Sequence, residues 1–132
     1  MTETPSAATL CWFEIPVLDL DRAERFYRAL LGCSFTREAS ATGDPNVALS
    51  MFDSADGARP PVCGCLIQGT PLKPATAGVT VYFDTPDLAG SLERAVAAGG
   101  SVLLPRTAIG PYGFFAHIQD CEGNRIGLHS RA

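Results

Sequence analysis

The sequence has a single lysine, Lys73, among 132 residues, and a formal net charge of -4. It carries no basic stripe, which speaks against a nucleic-acid partner. Histidines number two, and the five cysteines (Cys11, Cys33, Cys63, Cys65 and Cys121) are irregularly spaced. Only Cys63-Gly-Cys65 is close-set, as C-x-C rather than C-x-x-C, so a Cys/His zinc site is poorly supported. The cysteines read as small buried hydrophobes in a reducing cytoplasm. No apolar run approaches the roughly 20 residues that span a bilayer. The opening MTETPSAATL has no basic stretch ahead of an apolar core, so no signal peptide is expected, and residues 1–9 read as a flexible tail. Phosphate-binding loops, dinucleotide-binding glycine patterns and nucleophile elbows are missing too. The segment Gly110-Pro-Tyr-Gly113 does not stand between a strand and a helix, so it is no phosphate cradle.

What is there suits one domain over residues 10–132, with 46% hydrophobic and 18% charged residues. Residues 11–18 alternate as a strand does. Asp19 is a good helix N-cap, and Leu20, Ala23, Phe26, Tyr27, Leu30 and Leu31 form a one-sided stripe up to Gly32. Strands are predicted near residues 33–38, 47–53 and 62–68, and residues 69–78 read as a connector. The pattern then restarts. Residues 79–83 form a strand, Asp87 caps a helix over 88–98 that Gly99-Gly100 closes, and strands follow at 101–104, 114–119 and 125–130. Residues 105–113 read as a loop, and DCEGN as a turn.

Asp19-Leu20 and Asp87-Leu88 are 68 residues apart, and so are Gly32 and Gly100. This is an internal repeat of strand, helix and three strands. The fold class is therefore α+β: two βαβββ repeats, about 10–70 and 78–130, forming a curved mixed sheet around a concave cavity, helices outside. A concave sheet is a natural pocket.

Three segments, FEIPVLDLDRAERFYRALLG, VYFDTPDLAGSLERAVAAGG and GFFAHIQDCEGNRIGLHS, make the chain resemble the vicinal oxygen chelate superfamily. That family includes glyoxalase I, bleomycin resistance proteins and extradiol dioxygenases. The resemblance covers roughly residues 10–130 and looks closest to a small glyoxalase-like branch. It is specific for the fold and much less so for the activity. It implies a small-molecule site, and commonly a homodimer. In metal-using members the first ligand lies seven residues before the helix-capping Asp, here Trp12, and its second-repeat equivalent is Thr80, or Gly78 if two residues earlier. The last is the Glu of G-N-x-x-E-x-H, and GNRIGLH puts Gly127 there. Those positions lack the oxygen and imidazole donors that a divalent ion needs, so the resemblance implies a member without the family's metal or any other cofactor.

Glu14 shares a strand face with Trp12, and its repeat counterpart is Tyr82. The resemblance makes that face the cavity. Three readings of Glu14 stand side by side: a cavity carboxylate, a structural partner of backbone or an arginine, and a ligand in a rearranged metal site. His117, three residues before Asp120, and His129, two after Gly127, fall on the same face by the resemblance. Glu14 and His117 are the candidate acid/base pair. The candidate pocket is Trp12, Thr80, Tyr82, Phe115, Gly127 and His129, and Met51 could add to its wall. Residues 109–115, IGPYGFF, are either a lid or a turn with special backbone angles. The expected function is binding of a small organic molecule by a cytoplasmic glyoxalase-like protein, with metal-free catalysis through Glu14 and His117. The alternatives are a sequestering, resistance-type binder and a metal-dependent lyase or dioxygenase with a rearranged site.

Overall fold

The structure is a computed structural model describing residues 12–40, 43–54, 56–57, 62–69 and 72–131. The expected tail, residues 1–9, and Cys11 lie outside the described residues. The first repeat is β1 (Trp12–Pro16), α1 (Leu20–Leu31), β2 (Ser34–Ala39), β3 (Ala48–Asp53) and β4 (Cys63–Gln68). The second is β5 (Tyr82–Asp84), α2 (Leu88–Ala97), β6 (Ser101–Ala108), β7 (Phe114–Gln119) and β8 (Arg125–Ser130), with a short 3-10 turn at Gly110–Tyr112. Each repeat makes one four-stranded ladder, in the orders β1-β4-β3-β2 and β5-β8-β7-β6. The βαβββ unit is thus used twice with the same topology. In each, the strand before the helix pairs in parallel with the last strand, and the other pairings are antiparallel.

Both helices begin where the sequence places their caps. Asp19 accepts from the Arg22 amide at 3.2 Å, and Asp87 from the Gly90 amide at 3.1 Å. Gly32 ends α1 in the left-handed region at φ 70°. The second helix departs from the 68-residue offset. It stops at Ala97, Ala98 caps it, and the left-handed residue is Gly99 at φ 105° rather than Gly100. Gly100 is needed instead for close approach. A Cβ there would press on the Gln119 carbonyl at 2.6 Å and the Phe26 ring at 2.9 Å.

Two strands differ in extent from the sequence reading. β5 is only three residues long, because Val79 is almost fully exposed and of the preceding residues it is Val81 whose carbonyl meets β8, accepting from Gly127 N at 2.8 Å. β6 runs on through Pro105 to Ala108. It is the end strand of its ladder, and its register slips between Val102 and Leu104 and again between Leu104 and Thr107. An edge strand with irregular pairing tolerates the missing proline N–H.

The core lies under the helices and is shared by the repeats. Ile15, Phe26, Tyr27, Leu30 and Leu66 from the first pack with Leu88, Ala95, Ile118 and Leu128 from the second. Rings join the halves: Phe13 meets Phe52 at 5.4 Å and Phe83 at 5.7 Å between centroids. Met51 belongs to a smaller cluster with Cys65 and Ile67, so it is packing rather than cavity wall. Cys33, Cys65 and Cys121 are free thiols. Burial pushes Cys65 up to about 12 and Cys33 and Cys121 to about 11, which keeps all three protonated.

A buried polar cluster fastens the repeats at the β7–β8 turn. Asp120, 3% exposed, accepts from Tyr27 Oη at 2.5 Å and from the Glu122 and Asn124 amides at 2.9 Å each. Asn124 donates to the Pro16 carbonyl at 2.7 Å, and its side-chain oxygen accepts from Ala75 N at 3.0 Å. Glu122 accepts from Leu18 N at 2.7 Å and from Arg22 Nε at 2.5 Å. The turn of the second repeat therefore holds the end of β1 and the start of α1. Burial beside Asp120 holds the Tyr27 phenol protonated, well above its usual range. Asp120→Ala removes the acceptor of four hydrogen bonds, the fourth from Asn124 Nδ2 at 3.2 Å, and is expected to cost about 3 kcal/mol or more in urea unfolding. Tyr27→Phe removes one bond and should cost about 1–2 kcal/mol in the same experiment.

Candidate functional site

Trp12 and Glu14 alternate with Phe13 and Ile15 along β1, so when the latter pair enter the core the former turn to the opposite face. Tyr82 and Asp84 do the same on β5, around Phe83. β1 and β5 are end strands of their ladders. Between them lies a cleft of about 970 Å³, walled by Trp12, Glu14, Thr80, Tyr82 and Asp84 and reaching down to Phe13, Phe52 and Phe83. Four of the expected site residues, Trp12, Glu14, Thr80 and Tyr82, thus meet in one cleft. A pocket of about 430 Å³ adjoins it through Tyr82 and Asp84 and takes in Phe115, His129 and Ile109.

Glu14 is exposed, and its carboxylate accepts from Trp12 Nε1 at 3.3 Å. The tryptophan's one donor is thereby turned toward the acid. His117 lies on β7, two strands in from β5, and touches the cleft through Tyr82. Its Nε2 is 2.6 Å from Tyr82 Oη, and its Nδ1 is 3.0 Å from Arg125 Nη1. Burial, reinforced by the Arg125 charge, lowers the His117 pKa below 6.5. His129 behaves oppositely. Its Nε2 lies 2.7 Å from the Tyr112 carbonyl and its Nδ1 3.1 Å from Asp84 Oδ1. Two acceptors facing both ring nitrogens, the carbonyl foremost, raise its pKa above 6.5.

The segment before β7 is a turn with special backbone angles. Gly110 and Gly113 have φ 64° and 99°, and the His129–Tyr112 contact latches it to β8. Ile109, at its start, lines the smaller pocket.

The positions that the resemblance assigns to a metal do not fit an ion. Gly127 offers no donor, and it pairs with Tyr82 across the ladder. A Cβ at 127 would overlap the Tyr82 ring, so that ring already fills the space a ligand side chain would need. Trp12 supplies only an N–H, and Thr80 one hydroxyl. Among the described residues no three His, Cys, Asp or Glu side chains are grouped to hold a metal.

Asp84 and Arg125 are the site residues that sequence reasoning missed. Both follow from strand alternation: Asp84 is two residues past Tyr82, and Arg125 is two before Gly127. Arg125 Nε also donates to the Thr76 carbonyl at 3.1 Å, fixing the guanidinium over β8.

Among solved structures the fold is shared with proteins of low sequence identity. A glyoxalase family protein from Bacillus cereus superposes with a TM-score of 0.73 at 18% identity, over 98% of both chains. An antibiotic-binding protein from a Streptomyces species gives 0.68 at 22% identity, over 98% of this chain and all of the other. Glyoxalase I from Zea mays gives 0.69 at 20% identity over 92% of this chain, which spans only 45% of that enzyme. No curated protein matches the sequence. The family model described as Glyoxalase/Bleomycin resistance protein/Dioxygenase superfamily matches residues 9–128, nearly the whole chain. With the paired βαβββ repeats and the cleft between their end strands, that match identifies the chain as a member of the glyoxalase/bleomycin resistance protein/dioxygenase superfamily.

Proposed function

We propose that this protein binds a flat, largely apolar small molecule in the cleft between β1 and β5, and that it does so as a sequestering protein without a metal. The observation that carries this reading is the cleft itself. Trp12 and Tyr82 flank its mouth, 38% and 49% exposed, over a floor of Phe13, Phe52 and Phe83. Large aromatic side chains left half in solvent on opposite lips offer stacking area to a ligand. The chain's likeness to an antibiotic-binding protein at the level of fold supports the same reading.

A catalytic reading has one observation in its favour: Glu14 stands exposed on the cleft wall beside Trp12. Its histidine partner is poorly placed. The Nδ1 lone pair of His117 is occupied by Arg125, and its Nε2 faces Tyr82 rather than open space. A general base needs a free lone pair within reach of the proton it takes. Binding therefore fits the arrangement better than acid/base chemistry through Glu14 and His117.

Titration with 2-acetylnaphthalene tests the reading directly, because Trp12 is the only tryptophan and reports on the cleft. Saturable quenching is expected, and a linear response up to the solubility limit would remove the proposal. Trp12→Ala should weaken the same binding about tenfold by calorimetry, as loss of one stacking wall is worth roughly 1–2 kcal/mol. Glu14→Gln should change affinity little if the cleft only binds.

The two histidines should titrate on opposite sides of 6.5 by NMR, His117 below and His129 above. The signs fix the pH windows. The raised His129 contributes stability to its latch in full below 6.5, and loses it as pH rises through the higher folded value. The lowered His117 contributes above 6.5 and loses it as pH falls through its folded value. Amide exchange in residues 109–113 should accordingly speed up on the alkaline side beyond the intrinsic pH trend.

A further inference from the structure

We infer that the cleft selects neutral aromatic ligands bearing a carbonyl-type oxygen, with the Tyr82 hydroxyl as the donor that reads it. This rests on the binding reading above and names the ligand class for the same site.

The inference follows from a chain of three side chains. A guanidinium donates hydrogen bonds and accepts none. Arg125 is held by its Nε–H to the Thr76 carbonyl at 3.1 Å, and its Nη1 is 3.0 Å from His117 Nδ1. Nδ1 must therefore be the acceptor, and the neutral imidazole carries its proton on Nε2. Nε2 lies 2.6 Å from Tyr82 Oη, so the imidazole donates and the phenol oxygen accepts. The phenol's own proton is then directed away from His117. Among the described residues no second partner takes it. Tyr82 lines the large cleft, so that proton is available to a ligand there. The ring cannot settle lower, because it already lies against Gly127 on the neighbouring strand.

The charge of the walls sets the second half of the preference. The ionisable carboxylates lining the large cleft are Glu14, Asp53 and Asp84, and no arginine, lysine or histidine lines it among the described residues. An anionic ligand would meet like charges there. A ketone, ester, amide or quinone oxygen accepts the Tyr82 proton without that penalty. Arg125 acts one residue removed, through His117, and both are positioning residues rather than ligand contacts.

Three naphthalenes of similar shape separate the possibilities: 2-acetylnaphthalene, 2-isopropenylnaphthalene, in which a CH2 replaces the oxygen, and 2-naphthoate. Dissociation constants are read by Trp12 quenching. The ketone should bind about five- to tenfold tighter than the alkene, the size of one neutral hydrogen bond, and the carboxylate should bind more weakly than the ketone. In Tyr82→Phe the ketone/alkene ratio should fall to about one. His117→Leu should lower the ratio, and His117→Gln, whose amide can still donate to Oη, should restore most of it. Equal binding of ketone and alkene, or a ratio unchanged in Tyr82→Phe, overturns this inference and leaves the binding cleft standing. A carboxylate that binds tightest overturns the neutral-ligand half. Failure of all three to bind overturns the inference together with the function on which it rests.

Discussion

The buried Asp120 carboxylate is the point on which the rest of the molecule depends. A four-stranded ladder with one helix cannot cover both its faces, so each repeat needs the other. Apolar packing alone would let the halves slide, since hydrophobic contact is non-directional. Asp120 supplies direction. It receives the Tyr27 hydroxyl from α1 while ordering the Glu122 and Asn124 amides of its own turn, and those two side chains then take hold of Leu18, Arg22 and Pro16. A buried carboxylate is costly unless fully hydrogen-bonded, and this one is. None of the cluster's side chains lines the cleft, so the pocket is free of the polar groups that join the halves.

With the halves fixed there, β1 and β5 are left as open ladder ends facing a common space. The repeats use the same device differently on the two strands. Phe13 of β1 lies over Gly64 of β4, and Tyr82 of β5 lies over Gly127 of β8, each pair matched in register. An aromatic ring covering a cross-strand glycine fills the place of the missing side chain. Phe13 does this on the core face and Tyr82 on the cleft face. One step of strand alternation separates a core residue from a site residue. The space where relatives by resemblance carry a ligating carboxylate is thereby filled with a phenol.

Much of this was legible in the chain. The Asp caps, the helical stripe of α1 and the extents of β7 and β8 follow from local rules, and the structure has them. The repeat offset pairs Glu14 with Tyr82, and both line the cleft. The failures have physical sources. β5 is short and β6 long because their limits depend on what the neighbouring strand offers, not on their own residues. DCEGN reads locally as a plain turn, and nothing near it in sequence reveals that Asp120 meets Tyr27, 93 residues away. Arg125 carries no local signal, because an arginine at the start of a strand ordinarily faces solvent. Its importance comes only from the His117 ring that alternation on β7 sets beside it.

The two imidazoles show how this framework turns one residue type to opposite ends. His117 has a cation at one nitrogen and a phenol at the other, which favours the neutral ring in a single tautomer. His129 has a carboxylate at one nitrogen and a carbonyl at the other, which favours the charged ring. Neither is left with an unused lone pair facing the cleft. In a site built for proton transfer, the environment leaves an imidazole poised between its two states with one nitrogen open to substrate. Here the surroundings push the two rings in opposite directions while holding each in place, His117 against Tyr82 and His129 against the Tyr112 carbonyl. On the proposed binding reading, the polar groups of the second repeat hold a donor and a loop still around an aromatic cleft, and preorganisation of that kind lowers the cost of recognising a ligand.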